Sequence, residues 1–351
     1  MLKKKAMIEV HFNWIFILIA GAVIFVFFIN IVNKQREFSD IRTSGTIATN
    51  LESILTGAQI STDTVNIIDL PKVNIGFECE RYFIGPTPKQ TKSNVIFAPN
   101  LLKGTQMISW ALDWNMPYRI TNFLYLTDPE LRYIIVNKAD RPGQLLFDEL
   151  PEEVNKELIE LGNIGNFIDK NNFKVKFIFF DSNDAGPLTK LTYMKDEDVT
   201  AIVIKDFTSS TIIPPTGKIE FYQKDGLVWQ LTGTSDYLKK ESLIGAIFAE
   251  DWDTFNCVMK KAFKKLNLVS KVYLERSETL ETAYAGTNCA PPYSTAIINL
   301  ENLRDSSEKQ TQEFPTSSIT MDAMQDYATN IGSSSGNANN LAQLYSCALI
   351  Y

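Results

Sequence analysis

Histidine is all but missing from this 351-residue chain: His11 is the only one. A Ser-His-Asp or Cys-His centre therefore has no histidine to draw on beyond the first dozen residues, and most zinc sites lose a usual ligand. Also missing are a GxxxxGK(S/T) loop and a GxGxxG turn, so nucleotide phosphates have no glycine-rich cradle. There is no Asn-x-Ser/Thr sequon, which leaves N-glycosylation uninformative about compartment. Basic residues are in deficit, 34 Lys and Arg against 41 Asp and Glu, for a net charge of −7. That balance argues against nucleic acid as a partner, because phosphate contacts need clustered Lys and Arg. The one dense basic run, Lys260-Lys261 with Lys264-Lys265, is read as the wet face of a helix.

Only one long apolar run is present, Trp14 to Ile29, just behind Lys3, Lys4 and Lys5. Extended to Phe12 and Val32, it covers about twenty residues, enough to cross a hydrocarbon core of about 30 Å. A cleavable secretory signal has a shorter core and a small-residue cleavage site, and neither occurs here. The run is therefore read as an uncleaved single-pass anchor in the lipid bilayer. Lys and Arg are nearly balanced across it. We place the N-terminus in the cytoplasm and the main domain outside, because the N-terminal charges are clustered and the cysteines favour that side. A competing reading rests on Lys4-Lys5-Ala6 before Met7-Ile8-Glu9 and a long apolar helix. This arrangement is similar to the leader of type IV pilins and archaeal pilin-like proteins, and the resemblance implies cleavage between Ala6 and Met7. Glu9 would then be third after the cut, where the usual bacterial pattern has its acidic residue fifth.

The cysteines are Cys79, Cys257, Cys289 and Cys347, an even count on one side of the span with no CxxC pair. In an extracytoplasmic domain that pattern fits two disulfides, with buried free thiols as the alternative. A straight helix after Cys257 would carry the chain about 40 Å before Cys289. Disulfide Cα atoms must come within ~7 Å of one another. Cys289–Cys347 is therefore the expected bridge, with Cys79–Cys257 as the second.

Hydrophobic residues make up 45% of the chain, so most of it should fold. Past the membrane, Phe38, Ile41, Gly45, Ala48, Leu51, Leu55 and Ala58 recur at helical spacing. They extend the anchor into a stalk to about Thr56, whose stripe must pack on its own domain or on another subunit. From Thr64 to Thr91 the sequence is polar and turn-rich. Val95-Ile96-Phe97 reads as a buried strand, Leu101–Leu112 as a helix, and Thr121–Leu126 and Arg132–Val136 as strands. Pro151 is expected to open a helix with Val154, Leu158 and Leu161 inward. Val175–Phe180, Ala201–Ile204 and Leu243–Ala249 are the clearest strands. Lys218–Tyr222 and Leu227–Leu231 flank Asp225-Gly226, a hairpin signal. Beyond Asp251, Trp252 to Tyr273 lines a long helix, followed by helices at Ala296–Leu303 and Met321–Tyr327.

The resulting fold class is α/β: a transmembrane helix and amphipathic stalk, a three-layer mostly parallel sheet with a hairpin, and a C-terminal helical segment. The expected divisions are 1–33 for tip and anchor, 34–60 for the stalk, 61–251 for the α/β domain and 252–351 for the helical region packed on it.

Asp181, Asp206 and Glu250-Asp251 each follow one of the three strong strands. Ligands in open α/β sheets bind at the carboxyl ends of strands, so converging carboxylates there could hold Ca²⁺ or Mg²⁺. The competing reading is that these residues cap turns and helices. Trp110, Trp114 and Tyr118 suggest either a carbohydrate platform or core aromatics, and core is preferred. Gly332–Gly336 matches GxSxG and Ser306–Lys309 matches SxxK, but both lie in loose polar stretches. Neither has the elbow or the buried lysine its chemistry requires.

Taken whole, the chain resembles uncharacterised archaeal single-span envelope proteins. The likeness lies in Glu9-Val-His-Phe-Asn-Trp14, Ser93-Asn-Val-Ile-Phe-Ala98, Thr121-Asn-Phe-Leu-Tyr-Leu126 and Ser346-Cys347. The family implies no known activity. The expectation is a binding or scaffolding domain at the cell envelope, with self-association or a membrane partner through the stalk. The alternatives are a pilin-like subunit and, third, a carboxylate-metal enzyme.

Overall fold

A computed structural model describes residues 18–35, 49, 51–57, 60–70, 74–85, 87–137, 142–167, 173–181, 191–205, 207, 212–315 and 318–351. Trp14, the Ala6-Met7 junction, Asp206 and much of the stalk lie outside these residues. The first described element, α1 (Leu18–Gln35), is long and apolar enough to cross a membrane, and none of it is buried against the rest of the chain. Its large side chains are open, including Phe25 at 66% and Ile29 at 43% exposure. A second helical segment, 51–57, buries Leu51 and Leu55 against Ile75 and Ile84. At that point the amphipathic stripe packs on the chain's own domain.

Three sheets follow. The first has the order β1 (Val65–Asp69), β7 (Gln106–Asn115), β8 (Arg119–Thr127), β5 (Val95–Phe97). The second is a small antiparallel sheet of β4 (Thr87–Gln90), β3 (Arg81–Ile84), β2 (Ile75–Phe77) and β6 (Leu101–Leu102). The stretch 64–91, expected to be mainly turns, supplies four of these strands. Each is only three to five residues long, so its pairing partners rather than its own pattern make it a strand.

The third sheet has six strands, ordered β10 (Lys156–Glu160), β9 (Leu131–Asn137), β11 (Lys174–Phe180), β12 (Val199–Lys205), β13 (Thr216–Asp225), β14 (Val228–Leu238). The first four run parallel, and β13–β14 is an antiparallel hairpin. Its two-residue turn uses Gly226 at φ +60° and Leu227, as the Asp-Gly signal predicts. Side chains alternate between two cores. Ile178, Phe180, Ile202, Ile204 and Phe221 face one, whereas Phe177, Phe179, Ala201 and Val203 face the other. Among the described residues, the second core is closed by Phe167, Leu191 and Trp229 from loops, a short 3₁₀ turn and the hairpin rather than by α-helices.

Three elements differ from expectation. Leu243–Ala249 is not a strand but lies in helix α3 (Lys240–Phe248), with every residue from Ser242 to Phe248 buried. A helix buried all round has no polar stripe, so its apolar run is indistinguishable from a two-sided strand. Leu101–Leu112 is not a helix. It turns at Gly104 (φ +103°) and enters β7. Met107 and Ala111 join one core while Ile108, Trp110, Leu112 and Trp114 join the other, so burial on both faces imitates a helical stripe. Pro151 opens no helix: Leu158 belongs to β10, and the helix is α2 (Pro142–Glu149), with a different proline at its first position.

Beyond Asp251 come α4 (Trp252–Ala283), α5 (Ala290–Glu313), α6 (Ser318–Ile331) and α7 (Ala338–Leu344). Phe263, Leu300 and Met324 share one core with Trp110, Tyr133 and Ile202. The break at 251 is thus a change of secondary structure within a continuous core. Trp110, Trp114 and Tyr118 are at most 6% exposed, as core aromatics. The run at 260–265 is less wet than expected. Lys265 Nζ donates to Thr121 Oγ1 at 2.9 Å, and Lys261 Nζ to Thr91 Oγ1 at 2.8 Å.

Candidate functional site

The amino ends of β11 and β12 meet the small sheet across a cleft of about 690 Å³. β11 begins Lys174-Val175-Lys176, and both lysines point to the face that further along carries Ile178 and Phe180. Period-two geometry demands this, so two charges must be resolved under the sheet.

Lys174 is resolved by an ion pair. Its Nζ lies 2.7 Å from Glu250 Oε1 and 2.6 Å from Asn100 Oδ1, and the side chains of the pair are 8% and 9% exposed. Asn100 N donates to Glu250 Oε2 at 3.0 Å, closing the ring. The triad joins the six-stranded sheet, the β5–β6 loop and the α3–α4 junction. Lys176 lies deeper, and its Nζ donates to the carbonyls of Ala246 and Ala249 at the end of α3. A cation is suited to carbonyls left open at a helix C-terminus. Burial nonetheless pushes its pKa down to about 8, against the pull of Glu250 and Asp251.

The cleft walls add Phe77, Phe83, Phe173, Lys103, Glu197 and Asp198. Lys103 Nζ stands 3.6 Å from the centre of the Phe173 ring, a cation–π contact. Burial raises the Asp198 pKa, opposed by Lys174. Beneath, Asp128 accepts from the backbone N–H groups of Lys103, Glu130 and Leu131, each within 2.9 Å. The arrangement presents paired charges beside aromatic edges, suited to holding a polar ligand. Among the described residues it contains neither a hydroxyl–base pair nor a thiol.

Among the described residues the predicted carboxylate cluster is not assembled. Glu250 sits with Lys174 at the start of β11, whereas Asp181 follows its end, roughly 20 Å away along the strand. The reason is that Leu243–Ala249 is a helix, so Glu250 does not follow a parallel strand. Asp251 instead caps α4, accepting from Thr254 N at 2.8 Å, which is the capping alternative. Asp206 lies outside the described residues. The cysteines pair as expected, Cys79–Cys257 and Cys289–Cys347, with Cα separations of 5.9 and 5.7 Å. Glu80 stands beside the first pair, but those sulfurs are bonded to each other and offer no thiolate.

Sequence reasoning missed Lys174, Lys176 and Asn100, and it singled out Glu250 as a metal ligand rather than as the partner of a lysine. A signal existed: lysines two apart in an otherwise apolar strand cannot both reach water if that face is buried.

The fold and cleft define a mixed α/β protein with one apolar helix open to its surroundings and two disulfides. No protein-family model, no curated protein and no solved structure matches this chain.

Proposed function

We propose that this chain is a single-span membrane protein of the cell envelope, with a cytoplasmic N-terminus and an external α/β domain that binds a polar ligand or partner. The observation that carries the reading is α1. A helix exposing Leu18, Phe25, Phe27 and Phe28 at 58–72% has no partner within the chain's described residues, and lipid is the solvent that suits such a surface. The paired cysteines support the external side, since disulfides persist in oxidising compartments. The cleft at the amino end of β11 is the candidate binding surface. Thiol labelling of intact cells with an impermeant maleimide tests the topology. We expect no labelling before reduction and labelling of all four cysteines after an impermeant reductant. Free thiols in the unreduced protein would overturn it.

The same open helix also suits a pilin-like subunit whose apolar surface is covered by other copies after cleavage between Ala6 and Met7. Intact mass decides: loss of residues 1–6 supports this second reading, and retention removes it.

A further inference from the structure

The six-stranded sheet ends on β14, and the first half of that edge is open. Edge strands carry a row of unpaired backbone groups, which proteins usually blunt with charge, proline or a covering element. The opposite edge, β10, carries Lys156, Glu157 and Glu160, and β4 at the rim of the small sheet carries Pro88 and Lys89. On β14 the run from Leu227 to Ser235 contains neither a charged residue nor a proline. Its side chains are open as well, Val228 at 61% and Leu231 at 50% exposure.

The hairpin register fixes which groups of β14 point outward. Asp225 and Val228 flank the two-residue turn and pair directly, so they exchange hydrogen bonds. Along an antiparallel ladder such pairs alternate with pairs that exchange none. Trp229, opposite Lys224, and Leu231, opposite Tyr222, therefore turn their N–H and C=O groups away from β13. A β-bulge at Thr232 then shifts the ladder. Beyond it, side chains occupy the edge: Trp252 Nε1 donates to the Thr234 carbonyl at 2.9 Å, and Trp114 Nε1 to that of Leu238 at 3.2 Å. Among the described residues no such partner meets the outward groups of Trp229 and Leu231.

Donors and acceptors repeated two residues apart are the pattern that extended backbone completes. The same edge of a second copy supplies it. We propose that β14 pairs antiparallel with β14 of a second copy about a two-fold axis at Gln230, joining the two sheets into one. Trp229 then exchanges hydrogen bonds with Leu231 of the second copy, and Leu231 with its Trp229. Gln230 meets Gln230, whose amides bond to one another, and Val228 meets Thr232, a β-branched pair. A slip of one residue sets outward groups against inward ones, and a slip of two leaves one rung unmatched. With no charge on the segment, it meets its own copy without repulsion. Two-fold closure uses both open rungs, so association stops at a dimer. This assignment is independent of the topology proposed above and of the Lys174 cleft, and it differs from assembly through α1.

The test follows the mass of the full chain in detergent by analytical ultracentrifugation, up to about 100 µM because so small an interface is weak. A concentration-dependent monomer–dimer equilibrium is expected. Gln230→Lys and Gln230→Glu each set like charges opposite one another and should weaken the dimer about fivefold or more. Mixed in equal amounts, the two should restore it. Gln230 is exposed, so each variant should melt as the wild type does. Gln230→Cys should cross-link two copies on oxidation with copper–phenanthroline, since the four native cysteines are already paired. Val228→Cys should not, because its counterpart lies four residues away along the second strand, about 13 Å. The proposal is overturned by a wild type that stays monomeric throughout, as when a foreign strand covers the edge. Association that survives Gln230→Lys and Gln230→Glu undiminished overturns it too, placing the contact in α1 or elsewhere, as does cross-linking of Val228→Cys as efficient as that of Gln230→Cys.

Discussion

Lys176 Nζ donates to the carbonyl oxygen of Ala246 at 3.0 Å, so a lysine 4% exposed closes the C-terminus of a helix that is itself buried from Ser242 to Phe248. Its pKa falls from 10.5 to about 8 because burial disfavours the ammonium. The unfolded chain keeps that proton up to about pH 10.5 and the native one sheds it near 8. Between those values the unfolded state binds more protons and stability rises with pH. Buried tyrosines such as Tyr125 and Tyr133, whose pKa values are raised, oppose this above pH 10. From pH 8 to 10 the wild type should gain about 2 kcal/mol over Lys176→Met. Urea denaturation at both pH values measures the difference, and parallel pH profiles for the two proteins would refute it.

Asp236 gives a pH dependence of the opposite sign. Burial raises its pKa to about 6, opposed by Lys218 and assisted by Asp322 on α6. The native state then holds a proton that the unfolded state loses near pH 3.8, so stability falls as pH rises from about 4 to 6. Asp236→Asn should stabilise the protein at pH 7 by up to about 3 kcal/mol. At pH 4 the two melting temperatures should coincide.

Breaking the Lys174–Glu250 pair should be among the more damaging single changes. Glu250→Ala leaves a buried ammonium with only Asn100 as partner and should cost about 3–5 kcal/mol. The double variant Lys174→Met with Glu250→Leu should recover much of that loss, because an apolar pair replaces an isolated charge. Chemical denaturation of both variants checks the order.

The disulfides close loops of 58 and 178 residues. Chain entropy alone assigns the shorter one about 4 kcal/mol, and the longer somewhat more. Cys289→Ser with Cys347→Ser should therefore lower the melting temperature markedly, and a reducing agent should have no further effect through that bridge.

Gly217→Ala should destabilise the hairpin. Its Cβ would lie 2.6 Å from Tyr237 Cε1, and Tyr237 is 1% exposed and has no room to withdraw. A loss of about 1–3 kcal/mol in thermal or urea unfolding is expected.

What was legible in the residues was local. Val175–Phe180 and Ala201–Ile204 read as strands because β-branched and aromatic residues run between breaks. The hairpin announced itself through Asp225-Gly226, and α4 through a stripe from Trp252 to Tyr273. Two of the failures share one cause: Leu243–Ala249 and Leu101–Leu112 are buried on more than one side, and periodicity carries no information when every face is apolar. The Pro151 segment failed differently, because Lys156–Glu160 is a half-exposed edge strand made by its pairing with Leu131–Asn137. The carboxylate cluster failed with Leu243–Ala249, since Glu250 takes its place from a helix.

By itself, then, the sequence determined an exposed apolar helix, an α/β core, the absence of histidine chemistry past residue 11 and a favoured disulfide pairing. Each follows from composition, length or near-neighbour spacing. Only the tertiary structure decided that Lys174 meets Glu250, 76 residues further along the chain. Contacts between residues far apart in sequence are set by how the sheets and helices stack, and no local pattern encodes them.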